Sequence, residues 1–460
     1  MSVEKLHQIL EELKPKLTYS EEEYEKLEKE ACKVKERIKD YLLEKLGISA
    51  DVIIAGSLAK RTMVKGQSDI DIFIRLSTDY SKEYLKTVIL SLGEELFGRD
   101  RIIIRYAEHP YIEVLYNNLR FSVVPAYKVE KNNWKSPVDR TYYHLLYIKE
   151  KFKHRRHLCD DVVFLKTFLK KLGIYGAEIY TKGFSGYLCE LLILNYNGFV
   201  NLIKAVAERW RPPIIIDIEG FYRKPYTDAI KLFKSPFIVI DPVDKGRNVA
   251  AVVSTKSLMK FISASKILLN HPNKVFFDLQ YPPHRRKTGI PEGIHILAIK
   301  IKHGYSIPDI LYSQVEKVMN KIRRQLESNG FKVFRAIIYT DFKSKSLITF
   351  LLPTLKLPEI YVRNGPFPFF KDEIAFIKKN IDKYIWIDED GRWKVLERRK
   401  WVNAIEVVSN TLKMIKIPSA LSDAEFTILT DSELWVDKDT KLWANDLGFR
   451  HDFWVDVDYV

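Results

Sequence analysis

The chain has 460 residues, of which 46% are hydrophobic and 13% aromatic, and its formal net charge is +15 at pH 7. This length favours about three domains, and the composition is that of a globular chain, which excludes wholesale disorder. No apolar run reaches the roughly 20 residues of a membrane-spanning helix, and the first residues lack a signal-peptide pattern, so we expect no membrane partner. The three cysteines lack metal-site spacing, which favours reduced, buried thiols in a cytoplasmic protein.

The positive charge is spread along the whole chain and often lies beside aromatic residues. Trp210 lies between Arg209 and Arg211, and Trp401 follows Lys400. Each basic cluster alone is typical of a solvated surface. Together, over several domains, they favour a long polyanion over a small acidic metabolite, and the aromatic rings offer stacking surfaces for bases. The composition therefore predicts an RNA or DNA substrate.

The first 130 residues combine helical and strand patterns. Ser20 and Glu23 form the pattern of a capping box at the start of a long helix, and Pro15 is expected to end the helix before it. Asn117 and Asn118 are typical of the two-residue turn of a β-hairpin. In chain order, the predicted elements are helices over 3–13 and 21–46, strands over 52–55 and 70–76, a helix around 82–96, and a β-rich stretch over 101–127 whose hairpin strands cover 111–116 and 119–124.

The sequence after residue 140 is first helical and then mixed. Apolar residues at helical spacing dominate as far as the Pro212-Pro213 pair, and a β-α-β-β pattern follows between 294 and 352. There is no internal repeat and no low-complexity segment. The predicted elements are helices over 158–172 and 184–208, strands near 214–217 and 236–240, a helix at 254–269, a strand over 294–302, a helix over 308–328, and strands at 333–341 and 346–352.

The most informative segment is 54–76, which joins a Gly-Ser turn to an Asp-x-Asp strand. Asp69 and Asp71 are two residues apart, so both carboxylates leave one face of an extended strand, and the isoleucines between and after them fill the other face. Such a pair suits Mg²⁺ ions, which take oxygen ligands. Gly56 lets the backbone approach a phosphate, and the short basic helix that Gly56 and Ser57 open would attract this anion. The segment predicts a site for a metal-bound nucleoside triphosphate, and hence nucleotidyl transfer.

Each half of this motif also has a simpler interpretation. An isolated Asp-x-Asp is most often part of a solvated strand edge, and a Gly-Ser pair before a helix is more often an ordinary N-cap. Here the Gly-Ser pair comes first and the Asp-x-Asp follows shortly after it, and apolar strands flank both. That combination favours the nucleotidyltransferase interpretation.

Several segments resemble the archaeal, class I CCA-adding enzymes, which are tRNA nucleotidyltransferases of the polymerase β-like superfamily. The resemblance is strong over about the first 250 residues and looser beyond. That family adds C, C and A to the 3′ end of tRNA from CTP and ATP without a nucleic-acid template. The resemblance implies the same activity here, with two Mg²⁺ ions as cofactor. The segments that carry it are GSLAKRT with DID, SPVDRTYYH at 136–144, FLKKLGIYGAE at 168–178, GFSGYLCELLI at 183–193 and DPVDKGRNVAA at 241–251.

The resemblance also implies roles for individual residues of the motif segment. Ser57 and Lys60 match the residues that hold the incoming triphosphate, beside Gly56. Asp69 and Asp71 match the metal ligands, and they would bind both Mg²⁺ ions.

Four residues further along match positions around the triphosphate and the ribose. They are Thr141, His144, Lys166 and Tyr175. From the residues alone, simpler roles stay open. His144 could be a packed or surface histidine, Lys166 a solvated lysine on the polar side of its helix, and Tyr175 a ring that covers a core.

Arg247 matches an arginine that helps to read the edge of the base. Selectivity for C and A over G and U would then come from this guanidinium together with the RNA end. The alternative is an ion pair, because Asp241 and Asp244 lie within a few residues of Arg247.

One position departs from the family pattern. The family has a third carboxylate on a later strand, and Ser122 stands at that position, so the metal that activates the attacking hydroxyl would lose a ligand. Three explanations are open: a deliberate change that traps a substrate complex, a naturally weakened relative, or compensation by another acid. If Asn117-Asn118 is a two-residue turn, Glu113 pairs directly with Ser122 and is the candidate substitute.

The predicted fold class is multidomain α/β (α+β), with a nucleotidyltransferase head that contains a mixed sheet. The predicted domains are a catalytic head over 1–150, a helical neck over 151–238, a basic C-terminal body over 239–280 plus 400–460, and an α/β tail over 281–399. By resemblance, the C-terminal half would grip the acceptor stem and the TΨC side of tRNA. No residue pattern decides whether a homodimer forms. The alternatives to CCA addition are a catalytically degenerate tRNA-binding protein, which Ser122 supports, and a poly(A) polymerase-like enzyme.

Overall fold

The computed structural model describes residues 2–67, 69–105, 110–279 and 292–436, together with Thr440, Trp443 and Trp454. The chain forms two compact units, one of Met1–Arg285 with His451–Val460 and one of Arg286–Arg450. Each unit has its own hydrophobic core. Both contain helices and sheets, which confirms the predicted α/β (α+β) class. The predicted division into head, neck, body and tail stays a prediction, and parts of it lie outside the described residues.

The first unit begins with two helices and then alternates strands with helices. Its elements are α1 (Ser2–Leu17), α2 (Glu21–Glu44), β1 (Asp51–Ala55), α3 (Gly56–Ala59), β2 (Asp69–Leu76), α4 (Lys82–Phe97), β3 (Ile102–Arg105), β4 (Tyr111–Tyr116), β5 (Leu119–Tyr127), α5 (Arg140–Phe152), α6 (His157–Lys171), α7 (Gly186–Tyr196), α8 (Phe199–Arg209), β6 (Ile214–Ile216), α9 (Thr227–Phe233), β7 (Phe237–Val239) and α10 (Thr255–Asn270).

A five-stranded sheet in the order β1-β2-β5-β4-β3 carries the motif strand in second place. Only β2 and β5 pair in parallel, so the sheet is mixed, as predicted. Ile70, Ile72 and Ile74 are fully buried in a core that includes the apolar faces of α2 and α4. Because side chains alternate along a strand, the opposite face of β2 is left to the two aspartates. The core of the head thus fixes the direction in which the carboxylates point.

The hairpin between β4 and β5 forms as predicted. Asn117 and Asn118 both have positive φ, 51° and 60°. That conformation is a type I′ turn, which asparagine tolerates and which matches the twist of the strands. The turn sets the register in which Glu113 lies directly opposite Ser122.

The rest of the first unit is built around a helical core. Phe168 of α6 lies at its centre and contacts the rings of Phe199, Phe261, Phe276 and Phe277. Helices α1, α7, α8 and α10 contribute the surrounding apolar residues, and β6 and β7 form a small parallel pair. This core anchors α6 and α7, the two helices that contribute most to the site described below.

Two predicted helix boundaries are wrong. Helix α1 continues through Pro15 to Leu17, because Leu17 packs against the core and the backbone and hydroxyl of Thr18 both bond to the Lys14 carbonyl. The single helix predicted over 184–208 is two helices. Asn197 adopts the left-handed conformation with φ 54° and Gly198 has φ 130°, so the chain turns between α7 and α8.

The second unit contains the predicted β-α-β-β pattern. Its elements are β8 (His295–Lys302), α11 (Pro308–Ser328), β9 (Arg335–Thr340), β10 (Lys345–Leu352), β11 (Ile360–Asn364), α12 (Glu373–Asn380), β12 (Ile385–Ile387), β13 (Trp393–Arg398), α13 (Ala404–Met414), β14 (Glu425–Thr430) and α14 (Asp431–Val436). An antiparallel sheet in the order β14-β8-β10-β9 packs against α11 and α13. A smaller sheet, β11-β13-β12, contacts α12 through Phe376 and Trp393.

The helices and the cysteines can be compared with the expectations from composition. In the described part of the chain, none of the helices is both long and apolar enough to cross a membrane. All three cysteines are free thiols, but only Cys159 and Cys189 are buried. Cys32 is exposed on the polar face of α2, so the prediction of three buried thiols is wrong at that position.

Candidate active site

The Gly-Ser turn and the Asp-x-Asp strand meet because β1 and β2 are antiparallel neighbours, with Ala55 opposite Asp71. Gly56 follows β1 with φ +63°, a conformation in which glycine carries no steric cost. A Cβ atom on Gly56 would lie 1.8 Å from Oδ2 of Asp71, so no other residue fits at this position without moving the carboxylate. The helix that follows, α3, is only four residues long, and Lys60 lies at its C-cap. The predicted basic helix is therefore a single turn, whose dipole is too small to explain phosphate binding by itself.

Asp69 and Asp71 leave the same face of β2, as predicted, and their surroundings differ. Asp69 is exposed and lies 3.6 Å from the guanidinium of Arg120 on β5. Asp71 is covered by the Gly56 turn, and burial raises its pKa to about 6, against the lowering effect of Lys60. A cation bound between the two carboxylates would keep both ionised, because it compensates the charge that burial penalises.

A cavity of about 270 Å³ opens in front of these carboxylates. Seven of the predicted site residues line it: Gly56, Ser57, Lys60, Asp69, Asp71, Lys166 and Tyr175. The other lining residues are Thr62, Met63, Val64, Gln67, Lys170, Gly186, Tyr187 and Glu190. The lining thus combines carboxylates with lysines, the mixture that a metal-bound polyphosphate requires.

The lysines of the cavity are held by a buried network. The Nζ of Lys60 donates to Glu190 at 2.6 Å, and the hydroxyl of Thr62 donates to the same carboxylate at 3.1 Å. The Nζ of Lys166 donates to the carbonyl and hydroxyl oxygens of Thr62 at 2.9 and 3.1 Å. Only 3% of Lys166 is exposed, and burial lowers its pKa. The alternative of a solvated lysine is therefore wrong for Lys166.

Lys170 and Tyr175 form the adjoining wall of the cavity. Lys170 lies one helical turn beyond Lys166 on α6, and its Nζ is 4.7 Å from the centre of the Tyr175 ring. The amide oxygen of Gln67 accepts a hydrogen bond from the same Nζ. Burial, followed by the positive charge of Lys166, lowers the pKa of Lys170 to about 8. Tyr175 both packs against the helical core and lines the cavity, so the two readings of this residue are compatible.

His144 and Arg247 meet at a third residue, Asp241, which is fully buried. One oxygen of Asp241 accepts bonds from Nε2 of His144 at 2.9 Å and from the guanidinium of Arg247 at 2.7 Å. The other oxygen accepts the hydroxyl of Tyr187 at 3.2 Å, and the Tyr187 ring stacks on His144 at 3.9 Å. Of the two ion-pair alternatives for Arg247, the structure contains the pair with Asp241. Asp244 is instead bonded to Arg140.

This cluster has a defined charge state. Burial would raise the pKa of Asp241, but the hydrogen bonds from His144 and Arg247 outweigh it and bring the pKa down to about 2. Burial lowers the pKa of His144, against the effect of Asp241. Near neutral pH, a neutral His144 therefore donates its Nε2 proton to an ionised Asp241. Through Tyr187, which also lines the cavity, the cluster forms a rigid support behind the site.

Ser122, Glu113 and Thr141 are not among the residues that line the cavity. Ser122 lies directly beside Asp71 in the parallel β2–β5 pair, and Glu113 lies directly beside Ser122 on β4. The predicted register of Glu113 is therefore confirmed. Its carboxylate accepts a bond from Arg105 at 2.9 Å, so it would have to leave this partner to reach a metal. Thr141 lies in the first turn of α5, half-buried.

The similarity of this chain to known proteins covers both of its units and not only the cavity. Three family models match: a nucleotidyltransferase domain over 35–171, the second domain of tRNA nucleotidyltransferases over 160–278, and the C-terminal domain of CCA-adding enzymes over 292–439. The CCA-adding enzyme of Methanocaldococcus jannaschii is 34% identical over 430 residues, which cover 90% of this chain and 92% of that protein. The chain belongs to the CCA-adding enzyme family. The family predicted from the motifs is thereby confirmed.

Other curated CCA-adding enzymes are similarly close to this member of the family. That of Pyrobaculum islandicum is 34% identical and covers 89% of this chain and 93% of its own length. That of Sulfurisphaera tokodaii is 35% identical, with 86% and 88% covered. Among solved structures, the Cid1 poly(U) polymerase matches 61% of this chain and 97% of its own with 16% identity and a TM-score of 0.45. A likeness at that level carries no functional information.

The residues of this CCA-adding enzyme family member fit a divalent cation, which the nucleotidyltransferase fold generally uses. Two carboxylates share one face of β2, and the missing Cβ of Gly56 leaves room for Oδ2 of Asp71 against the turn. Hard cations prefer such oxygen donors. In the described ranges, no group of three or more His, Cys, Asp or Glu side chains is arranged to hold a metal. Ser122, at the position where the family resemblance leads us to expect a third carboxylate, pairs with Asp71 in the sheet.

Sequence analysis did not name Thr62, Lys170, Tyr187 or Glu190, and it named Asp241 only as a possible ion-pair partner of Arg247. Glu190 gave a usable signal, because it is the only charged residue in the otherwise apolar α7, where a carboxylate needs a partner. Lys170 gave another, since it follows Lys166 by four residues on the same helix. The roles of Tyr187 and Asp241 depend on contacts between distant segments, which no local pattern reports.

Proposed function

We propose that this protein adds C, C and A to the 3′ end of tRNA, with CTP and ATP as substrates. The match to curated CCA-adding enzymes, which covers 90% of this chain in the example above, carries this proposal. The cavity supports it, because it places carboxylates and lysines around one space. In each step the 3′ oxygen of the tRNA attacks the α-phosphorus of the nucleotide. A new P–O bond forms, the bond between the α- and β-phosphates breaks, and pyrophosphate leaves.

The proposed roles follow the positions of the side chains. Asp69 and Asp71 would hold two Mg²⁺ ions. Such ions neutralise the charge that develops on the phosphate and leaving oxygens. Ser57 would meet the triphosphate at the Gly56 turn, and Lys166 would contribute positive charge from α6.

Lys60 would exchange partners during the reaction. Its Nζ is paired with the buried Glu190, and Lys60 also lines the cavity. A phosphate oxygen can compete for the same ammonium, because Lys60 lines the cavity directly. Glu190 would then stay bonded to Thr62, so that its charge is not left without a partner.

The remaining predicted residues have more distant roles in this proposal. His144 and Arg247 would orient the nucleotide through the Asp241 cluster, with Arg247 free on one side to meet the base edge, since 37% of its side chain is exposed. Tyr175 would pack beside the ribose or phosphates, and Thr141 would approach from α5. For the partner tRNA, we propose that the basic second unit binds the acceptor stem and the TΨC side. A cytoplasmic location and a homodimer are part of the same proposal.

Ser122 gives one specific reason to consider a second function, a tRNA-binding protein without transfer activity.

The test is incubation with labelled CTP, then ATP, Mg²⁺ and a tRNA that lacks its CCA end, beside Ser122→Asp and Glu113→Gln variants. We expect the protein to extend the tRNA, and Ser122→Asp to raise the rate. Loss of activity in Glu113→Gln would assign the compensating role to Glu113. Binding of tRNA without any transfer, in the protein and in Ser122→Asp, would overturn the proposal in favour of the binding function.

A further inference from the structure

The cavity contains one lysine that the proposed mechanism has not used. Lys60 is bonded to Glu190, and Lys166 is bonded to two oxygens of Thr62. Lys170 has a weaker set of partners: the neutral amide oxygen of Gln67 and the face of the Tyr175 ring. Its ammonium group lines the cavity with the other two. It can therefore turn toward a ligand without breaking an ion pair.

The placement of Lys170 is unfavourable for folding. It lies at i+4 from Lys166, so two positive charges face the same space from successive turns of α6. Both have lost much of their contact with water, and their lowered pKa values express this cost. Among the ion pairs of the described residues, none joins a carboxylate to Lys166 or Lys170. A buried cation without a carboxylate costs stability unless a ligand supplies the negative charge.

The charges of the whole cavity lead to the same conclusion. Lys60 and Glu190 compensate each other, and the two Mg²⁺ ions proposed at Asp69 and Asp71 would more than compensate these carboxylates. What is left is the positive charge of Lys166 and Lys170, which lie one turn apart on α6 and line the same cavity as the two aspartates. A polyphosphate that extends from the metal to this part of α6 would meet both lysines.

We propose that Lys170 binds the phosphate chain of the incoming nucleotide beside Lys166, and that it makes the site selective for triphosphates over monophosphates. This inference rests on the proposed function of the cavity as a nucleotide site. Lys170 is then a binding residue whose repulsion with Lys166 is relieved only in the nucleotide complex.

The test is a binding titration of the full-length protein with CTP, CMP and inorganic tripolyphosphate, in Mg²⁺ and without tRNA. In Lys170→Met we expect CTP and tripolyphosphate to bind about tenfold more weakly, the loss typical of one charge-assisted hydrogen bond. CMP should bind within about twofold of the unchanged protein by the same reasoning. Lys170→Arg should restore most of the CTP affinity. Lys204→Met is the matched control, because Lys204 is an exposed lysine on α8 that does not line the cavity.

Thermal unfolding separates this role from a structural one. Because Lys170→Met removes a repulsion, the variant should melt no lower than the unchanged protein, although it binds CTP more weakly. Unchanged CTP affinity, an equal loss for CTP and CMP, or a clearly lower melting temperature would each overturn the inference. Failure of the proposed function would give a different result. Tripolyphosphate binding would still depend on Lys170, but neither the protein nor Ser122→Asp would transfer a nucleotide to tRNA.

Discussion

The Gly56→Ala substitution tests whether the turn after β1 exists to hold Asp71 in place. A Cβ at this position would lie 1.8 Å from Oδ2 of Asp71, so the carboxylate must swing away or the turn must open. The positive φ adds about 1 kcal/mol of backbone strain for any residue other than glycine. A displacement of about 1 Å in a reacting group commonly costs about a hundredfold in rate. We therefore expect a loss of roughly a hundredfold or more in nucleotide transfer, with only about 1–3 kcal/mol lost from the unfolding free energy.

Gly47→Ala is the matched control for this experiment. Gly47 follows α2 with φ +65°, almost the same backbone conformation as Gly56, and nothing lies within 4 Å of the position of its Cβ. The assay is single-turnover addition of labelled CMP to tRNA, together with urea unfolding of each variant. Both variants should lose similar backbone stability, and only Gly56→Ala should lose transfer. Equal transfer rates in the two variants would refute the reasoning, because the clash with Asp71 would then have no consequence.

Two further predictions concern the buried carboxylates. Glu190→Gln should destabilise the protein by about 2 kcal/mol in urea unfolding, since Lys60 loses its ion pair but can still reach water in the cavity; unchanged stability would contradict the network. Asp241→Asn tests the pH dependence. The pKa of Asp241 is about 2, below its ordinary 3.8, so its ionised form stabilises the fold above pH 4, and this contribution fades as the pH falls from about 4 to 2. The stability difference between the protein and Asp241→Asn should include up to about 2 kcal/mol that disappears over that interval; a pH-independent difference would contradict it.

The sequence was most informative where structure depends on neighbours along the chain. The alternation of aspartates and isoleucines on β2, the Asn117-Asn118 turn and the capping box of α2 were predicted and are present, because each is set by local backbone geometry. The position of the Asn117-Asn118 turn was enough to predict that Glu113 pairs with Ser122, as the structure shows. Local signals failed at two places. At Pro15 the helix continues, because the packing of Leu17 outweighs the loss of the hydrogen bond that the proline nitrogen cannot donate. At Asn197 a helix ends inside an apolar run, because asparagine tolerates the left-handed backbone conformation.

The site was harder to predict because it is assembled from distant segments. The pattern of its own helix left a solvated Lys166 open, whereas in the structure Lys166 is buried and bonded to two oxygens of Thr62, 104 residues away along the chain. Asp241 could be named only as an alternative partner of Arg247, since nothing local shows that His144 and Tyr187 converge on it. Family resemblance supplied what local pattern could not: seven of the positions it named line the cavity, His144 and Arg247 bond to Asp241 behind it, and Thr141 and Ser122 do neither.

Sequencing the products of one reaction shows whether the protein adds C, C and A to tRNA. A tRNA transcript without its last three nucleotides would be incubated with the protein, Mg²⁺ and all four nucleoside triphosphates together, and the new 3′ ends would be sequenced. We expect the added nucleotides to be C, C and A, in that order and then no more, with the same tail made faster by Ser122→Asp. Tails of repeated A or U, or no addition even by Ser122→Asp, would contradict it.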